Sequence, residues 1–465
     1  MKIAVTCLLL STFFPLLAQN DIQANVNLQF RFTNPGARAQ AMGGAFIGVA
    51  DDTTAIFANP AGLTRMTSQT VILEANSSER QNPIPFYQGR IDQTAAQDFT
   101  FDLETRNFSE SVTGIPFFAY VSPKSKVKWG LFYAEQANFD RAFDTGPIGV
   151  VPIFNHPDVG ENRLGIFPSS TNSVNLTLQS LGFSAAGKLT PNLSVGATVA
   201  FNQMDYAVHT ITYIDDPRLV WPEFEFDIGD FEELIGDPFA FADAIGEDEN
   251  ISFTVGLLYT ASDRFHLGIS YKNQPEFDYG YVGSSLDDRF EEQVVAIEGT
   301  SVFNVPDALG LGFSFLPTDS TILSFEIDRV YYSELSEDYA QLFANEDDPA
   351  SLTQHAADIT EYRVGFEYLF LNMTYPLAIR AGYWHEPYHA LVNEALDTQI
   401  LFRFLDASGD FFQGERPTPF LQRFAQDLNH LTFGIGFSFG KFTLDMSGDI
   451  DDQNSSFSLS SIYRF

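Results

Sequence analysis

The chain ends Ser456-Phe-Ser-Leu-Ser-Ser-Ile-Tyr-Arg-Phe465. Phe457, Leu459, Tyr463 and Phe465 share one parity, and Ser458, Ser460 and Arg464 the other. Successive side chains of a strand point to opposite faces, so this segment has one apolar and one polar face and finishes on an aromatic. In water such a strand invites edge pairing and aggregation. In a membrane barrel it closes onto the first strand and turns its apolar face to lipid.

The same alternation recurs upstream. Leu193-x-Val195-x-Ala197-x-Val199-x-Phe201 and Leu431-x-Phe433-x-Ile435-x-Phe437-x-Phe439 are its cleanest examples, with Gly, Ser, Thr and charge on the other parity. Period-2 segments fall near 69–77, 112–122, 126–138, 175–188, 192–206, 251–261, 264–273, 307–316, 320–332, 360–370, 375–386, 429–440, 441–450 and 455–465, fourteen in all. An even number of strands joined by alternately short and long connections is the pattern of an outer-membrane barrel. The short connections, such as Leu189-Thr-Pro-Asn192, are the expected periplasmic turns, and the long ones the extracellular loops. Two long loops carry helical signals. Asp230-Phe-Glu-Glu233 resembles a capping box ahead of Leu234, Ile235, Phe239 and Phe241. Pro419 is placed to open a helix bearing Phe420, Leu421, Phe424 and Leu428.

Lys2 followed by an apolar run from Ile3 to Leu17 and small Ala18 reads as a secretory signal peptide over residues 1–18. The single cysteine, Cys7, lies inside it, so the processed chain is expected to lack disulfides, thiolate metal sites and cysteine nucleophiles. No other stretch approaches the length of a helical membrane span. The net charge of −36 with 61 acidic residues argues against nucleic-acid binding, which needs a basic footprint.

Between the leader and the first strand lies a segment rich in small residues: Ala37-Arg38-Ala-Gln-Ala-Met42-Gly43-Gly44-Ala45, then Ala50-Asp51-Asp52, then Asn59-Pro60-Ala61. Glycines and alanines permit tight turns and close backbone approach. These pieces resemble the N-terminal hatch of the FadL-type outer-membrane transporters of long-chain fatty acids and other hydrophobic compounds. Val305-Pro-Asp307 leading into Leu309-Gly-Leu-Gly312, and Arg380-Ala-Gly-Tyr383, resemble strands of that family. The resemblance implies an all-β fold: a 14-stranded antiparallel transmembrane barrel (residues 67–465) plugged by a hatch (19–66), in the bacterial outer membrane. It also implies passive uptake of a hydrophobic small molecule, by capture at the loops, hatch rearrangement and lateral release through a gap at the third strand. Membrane lipid, lipopolysaccharide and the barrel-assembly machinery are the other expected partners. No enzyme activity, metal or cofactor is implied. A different class of function on the same barrel is that of the PorV-type shuttles, which carry secreted proteins; a gap in the wall discriminates the two.

Within that frame, parity with large apolar residues outward places Phe118, Tyr120, Lys128, Gly130 and Phe132 inside, near the expected exit, with Gly130 as the lateral gate. It also turns Lys272, Glu326, Asp328, Arg363, Glu367 and Arg380 inward. Phe118, Tyr120, Phe132, Lys272, Arg363 and Arg380 are therefore the candidate ligand contacts. The alternative for the arginines is an ion-pair network that ties the hatch to the wall. Arg38, Gly43, Gly44, Asp51, Asp52, Asn59, Pro60 and Ala61 form the hatch motif. Two enzyme motifs are coincidental. His385-Glu-Pro-Tyr-His389 matches H-E-x-x-H, but Pro387 breaks the helix that motif needs. Gly436-Phe-Ser-Phe-Gly440 matches a nucleophile elbow but runs into another strand.

Overall fold

The computed structural model describes residues 34–93, 99–151, 165–223, 229–286, 293–337, 354–389 and 426–465, with a few short pieces between and before them. The expected leader lies almost wholly outside the described residues, as does the segment 413–425 with its expected helix; Leu428 opens a strand.

Fourteen strands close into an antiparallel barrel. They are β1 (Thr70–Gln93), β2 (Phe99–Ser122), β3 (Lys128–Thr145), β4 (Ser170–Lys188), β5 (Leu193–Tyr213), β6 (Pro238–Ser262) and β7 (Phe265–Asn273). They continue with β8 (Ala308–Thr318), β9 (Thr321–Val330), β10 (Ile359–Phe370), β11 (Leu377–Glu386), β12 (Leu428–Phe439), β13 (Phe442–Ile450) and β14 (Asn454–Arg464). Closure is made by β14 against β1, in register from Thr70↔Arg464 to Arg80↔Asn454. Phe465 N donates to Gln69 O at 2.9 Å, so the terminal aromatic is tied to the start of the first strand.

The apolar parity faces outward. On β6, Ile251, Phe253, Val255, Leu257 and Tyr259 are 37–62% exposed. Eight residue steps at about 3.3 Å, tilted by about 40°, give a belt on the order of 20 Å high, the scale of a bilayer core.

β1 to β6 run well beyond the segments that sequence alternation marks, and above the belt the pattern inverts. Val174, Leu176 and Leu178 of β4 and Met204 and Tyr206 of β5 turn inward and pack with Phe277, Phe303, Tyr332 and Leu335. Asn175 and Asp205, on the opposite parity, are exposed. Above the bilayer the outside is water, so the apolar face must be the inner one. Phe277 and Phe303 come from a hairpin, Glu276–Leu286 with Gln293–Asn304. Leu335 lies on a short helix, Ser333–Glu337. The expected helix after Asp230 is only a 3₁₀ turn, Gly229–Leu234, and Phe239 and Phe241 lie on β6. Pro238 and the β5 ladder that begins beside it take the chain straight back into the sheet.

Candidate functional site

Residues 34–66 fill the lumen. Their helices are α1 (Ala37–Ala41) and α2 (Ala55–Ala58), with a 3₁₀ turn over Pro60–Arg65. Anchors reach the wall all round: Gly36 N donates to Glu74 of β1 (2.6 Å), Gly43 N to Thr432 of β12 (2.9 Å) and Ile47 N to Glu326 of β9 (2.6 Å). Asn59 caps the 3₁₀ turn by accepting from Ala61 N, while its amide donates to Ile47 O and to Leu257 O of β6, both at 3.0 Å. Gly43 and Gly44 take φ of 65° and 74°, which only glycine adopts without cost. On the wall side, a Cβ at Gly268, Gly312 or Gly382 would overlap the hatch backbone at Ile47, Gly48 or Gly43. The glycine-rich inner parity is therefore the seat of the hatch.

The strongest lock is ionic. Arg38 pairs with Asp51 (2.6 Å) and Asp52 (3.1 Å) within the hatch, and with both oxygens of Glu367 on β10 (2.9 Å each). Glu367 also takes Arg380 of β11 (2.6 Å), which reaches Asp445 of β13 (2.6 Å). Burial opposes the charge on Arg38, but Asp51, Glu367 and Asp52 outweigh it and hold the guanidinium charged well above its ordinary range. Arg380 thus belongs to the hatch lock and not to a ligand site.

Above the hatch lies a cavity of about 240 Å³. Asn34, Ile47, Glu74, Lys272, Asp328 and Arg363 line one side, and Val112, Gly114, Pro116, Glu135, Gln136 and Asn138 the other. Arg363 is held by Asp328 (3.1 Å) and Glu361, stacks on Trp384 (4.5 Å) and touches Gly43 O (3.4 Å). Lys272 donates to Asn34 Oδ1 (2.7 Å) and sits over the Phe57 ring (4.4 Å); it makes no ion pair among the described residues.

The second side of the cavity is a seam. β2 and β3 share a ladder only from Phe117↔Ala134 to Ser122↔Trp129. Above it β2 stays paired with β1 and β3 with β4, and no ladder joins β2 to β3 among the described residues. Two bulges mark the parting: Ile115 and Pro116 oppose the single Ala75, and Gln136 is the extra residue between Glu135↔Gln179 and Ala137↔Leu178. A bulge ends pairing and bends its strand, and a proline has no N–H to give the ladder.

The bulges also correct the inward assignments on β2. An inserted residue shifts the side-chain phase by one. Phe117, Ala119 and Val121 are consequently buried, whereas Phe118 is 41% exposed on the lipid face and Tyr120 packs outside against Trp129 (5.7 Å). On β3, below its bulge, parity holds: Phe132 is buried between Phe57 of the hatch (5.8 Å) and Phe117 (6.4 Å). It packs the plug and does not line the cavity. Gly130 pairs with Val121 inside the ladder, and a Cβ there would come within 2.7 Å of Ile56 of the hatch. It seats the hatch below the seam, so the gate assignment fails there. Pro116 is the signal in the sequence that marks the parting.

His385 and Glu386 are consecutive strand residues and point to opposite faces. His389 lies on Tyr332 at 4.0 Å, and no group of potential metal ligands occurs among the described residues.

A plugged barrel with an apolar belt is an outer-membrane barrel of the bacterial type. The family described as outer membrane protein transport protein (OMPP1/FadL/TodX) matches residues 164–400, and the chain belongs to it. Among solved structures, a Pseudomonas aeruginosa FadL homologue is similar at TM-score 0.56 and 15% identity, over 94% of this chain and 99% of that one. The toluene transporter TbuX of Ralstonia pickettii is similar at 0.52 and 15%, over 93% and 98%. The toluene transporter TodX of P. putida is similar at 0.51 and 14%, over 93% and 99%. At such identities the likeness is one of fold. No curated protein matches the sequence.

Proposed function

We propose that this protein takes up hydrophobic small molecules passively across the outer membrane, and that its ligands include long-chain carboxylates. One observation carries the reading: a single cavity runs from the hatch to the seam between β2 and β3, where the wall lacks its ladder. At about 240 Å³ it is below the usual size of a ligand pocket, so a long chain has room only if its tail lies in the seam. Leaving sideways suits such a molecule, because entry into the bilayer gains about 0.8 kcal/mol for each methylene removed from water. Lys272 is the cavity's cation without an ion-pair partner among the described residues, and its ammonium is the group to meet a carboxylate. The Arg363 guanidinium is already committed to Asp328 and Glu361. Ligand binding energy then has to offset displacement of the hatch.

The wall opening favours this over a shuttle for secreted proteins, which has no use for a route from lumen to bilayer. The test is binding and uptake of oleate and of oleyl alcohol by wild type and Lys272→Met. Oleate binding should fall about tenfold, the worth of one charge-assisted hydrogen bond, and oleyl alcohol binding should be unchanged. Uptake of neither compound by wild type would overturn the reading.

A further inference from the structure

The chain is strongly acidic, yet its lysines are not dispersed. It has seven, and Lys124, Lys126, Lys128, Lys188 and Lys441 all lie at or beside short turns on one rim of the barrel. The β2–β3 turn, residues 122–128, and the β4–β5 turn, residues 188–193, contain no acid at all. These turns are neighbours, because Lys128 is in register with Ala186 across the β3–β4 ladder. Lys124, Lys126 and Lys188 are exposed and make no ion pair among the described residues; Lys128 donates to Pro123 O. Beside them Val127 and Leu189 expose their side chains by 53% and 66%. Immediately above, on the lipid face, Trp129 stacks on Phe183 (6.4 Å) and meets the edge of Tyr120 (5.7 Å).

We infer that this corner of the barrel is a binding site for the headgroup of an anionic phospholipid in the inner leaflet. Short turns face the periplasm, so the leaflet the lysines meet is the inner one. Each part has a physical role there. Aromatic rings sit at headgroup level, with their apolar bodies toward the acyl chains. Lysine ammonium groups meet phosphate at the membrane surface, and their stems lie along apolar surface. Val127 and Leu189 enter the acyl boundary and hold the turns against it. The neighbouring β6–β7 turn carries Asp263 beside Arg264 and so offers no net charge, which confines the site to the β2–β5 corner. Nothing in uptake of a ligand from the lumen requires this cluster, which faces outward from the periplasmic rim of the barrel.

Tryptophan fluorescence reads the site directly. Of the three tryptophans, Trp221 and Trp384 are buried, and Trp129 alone faces lipid. The protein is reconstituted in phosphatidylcholine vesicles containing a small fraction of phosphatidylglycerol brominated on its acyl chains, or the same fraction of brominated phosphatidylcholine. Brominated phosphatidylglycerol should quench Trp129 in excess of phosphatidylcholine, with an enrichment on the order of fivefold for each lysine engaged. The excess should fall as salt is raised through the screening range. It should disappear in the Lys124→Ser, Lys126→Ser, Lys188→Ser triple variant, while quenching by brominated phosphatidylcholine stays as in wild type. Equal quenching by the two lipids in wild type would overturn the inference. So would an excess that ignores salt or survives in the triple variant.

Discussion

Removing the Arg38 side chain should loosen the hatch. In the folded protein its guanidinium makes two hydrogen bonds to Glu367 on the wall and one each to Asp51 and Asp52 within the hatch. The Arg38 side chain is 14% exposed and that of Glu367 2%, so the wall contact is a buried one. Breaking a buried pair from one side costs about 3–5 kcal/mol, because the abandoned charge stays in the interior. Glu367 keeps Arg380 at 2.6 Å, and Asp51 is 26% exposed to water, which puts Arg38→Ala at the lower end, about 3 kcal/mol. Since 1.36 kcal/mol is a factor of ten, the undocked hatch should become about 150-fold more populated. The assay is single-channel recording in planar bilayers, on protein shown by heat-modifiable migration to be a closed barrel. Openings should become about two orders of magnitude more frequent in Arg38→Ala. Glu367→Gln should act in the same direction and be non-additive with it, since the two residues share one set of bonds. A well-folded Arg38→Ala variant whose opening frequency lies within twofold of wild type would show that the ion network does not hold the hatch.

Gly268→Val should dislodge the hatch by overlap with Ile47 O, and raise conductance, whereas Gly187→Ala, whose added Cβ meets nothing within 4 Å, should leave conductance at the wild-type level. A reducible bis-methanethiosulfonate linker between Gly114→Cys and Glu135→Cys should staple the seam, since a Cβ at 114 lies 3.9 Å from the Glu135 carboxylate, about one side-chain length from position 135; linked protein should bind oleate but not take it up, and reductant should restore uptake. Deleting Phe465 removes the bond to Gln69 O and the ring contact with Tyr463 (5.0 Å), so the barrel should fail to assemble, seen as loss of heat-modifiable migration.

All fourteen strands were legible because the membrane imposes one rule on the whole belt: the apolar parity meets lipid, and glycine and serine take the other side. The β14 serines show it, with Ser458 and Ser460 buried while Phe457 is half exposed. The rule fails where its cause ends. Above the belt the outside is water, so on β4 it is Val174 and Leu176 that turn inward, and a search for outward apolar residues stops short of the true strand. It fails again at Phe118, where a bulge displaces the phase by one residue and both parities are aromatic or aliphatic, so hydrophobicity cannot choose. The inward acids and arginines of β9 to β11 were found by parity, but their division into lock and cavity was not. Arg363 and Arg380 have the same parity and similar neighbours in sequence, and only the positions of Glu361, Glu367 and Asp445 in three dimensions separate them.

The two bulges carry a consequence for how the seam can work. Below Pro116 and Gln136 the wall between β2 and β3 is an ordinary ladder, and opening it would break backbone hydrogen bonds in a medium that offers no replacement. Above them those bonds are already absent, and the lips are built from side chains and from backbone that borders a polar cavity. On the proposed seam route, passage of a chain needs only rearrangement of side chains such as Gln136, which donates to Ser180 Oγ at 2.6 Å and accepts from Gln274 at 3.5 Å. The lock on the hatch is separate from the seam: Arg38, Glu367 and Arg380 lie on β10, β11 and the plug, and none of them lines the cavity. The cavity reaches the hatch at Asn34, Gly43 and Ile47 instead, where Lys272 holds Asn34 and Arg363 touches Gly43 O. Weakening the lock should then change conductance without changing the chemistry of the cavity, and stapling the seam should stop uptake while the hatch stays locked.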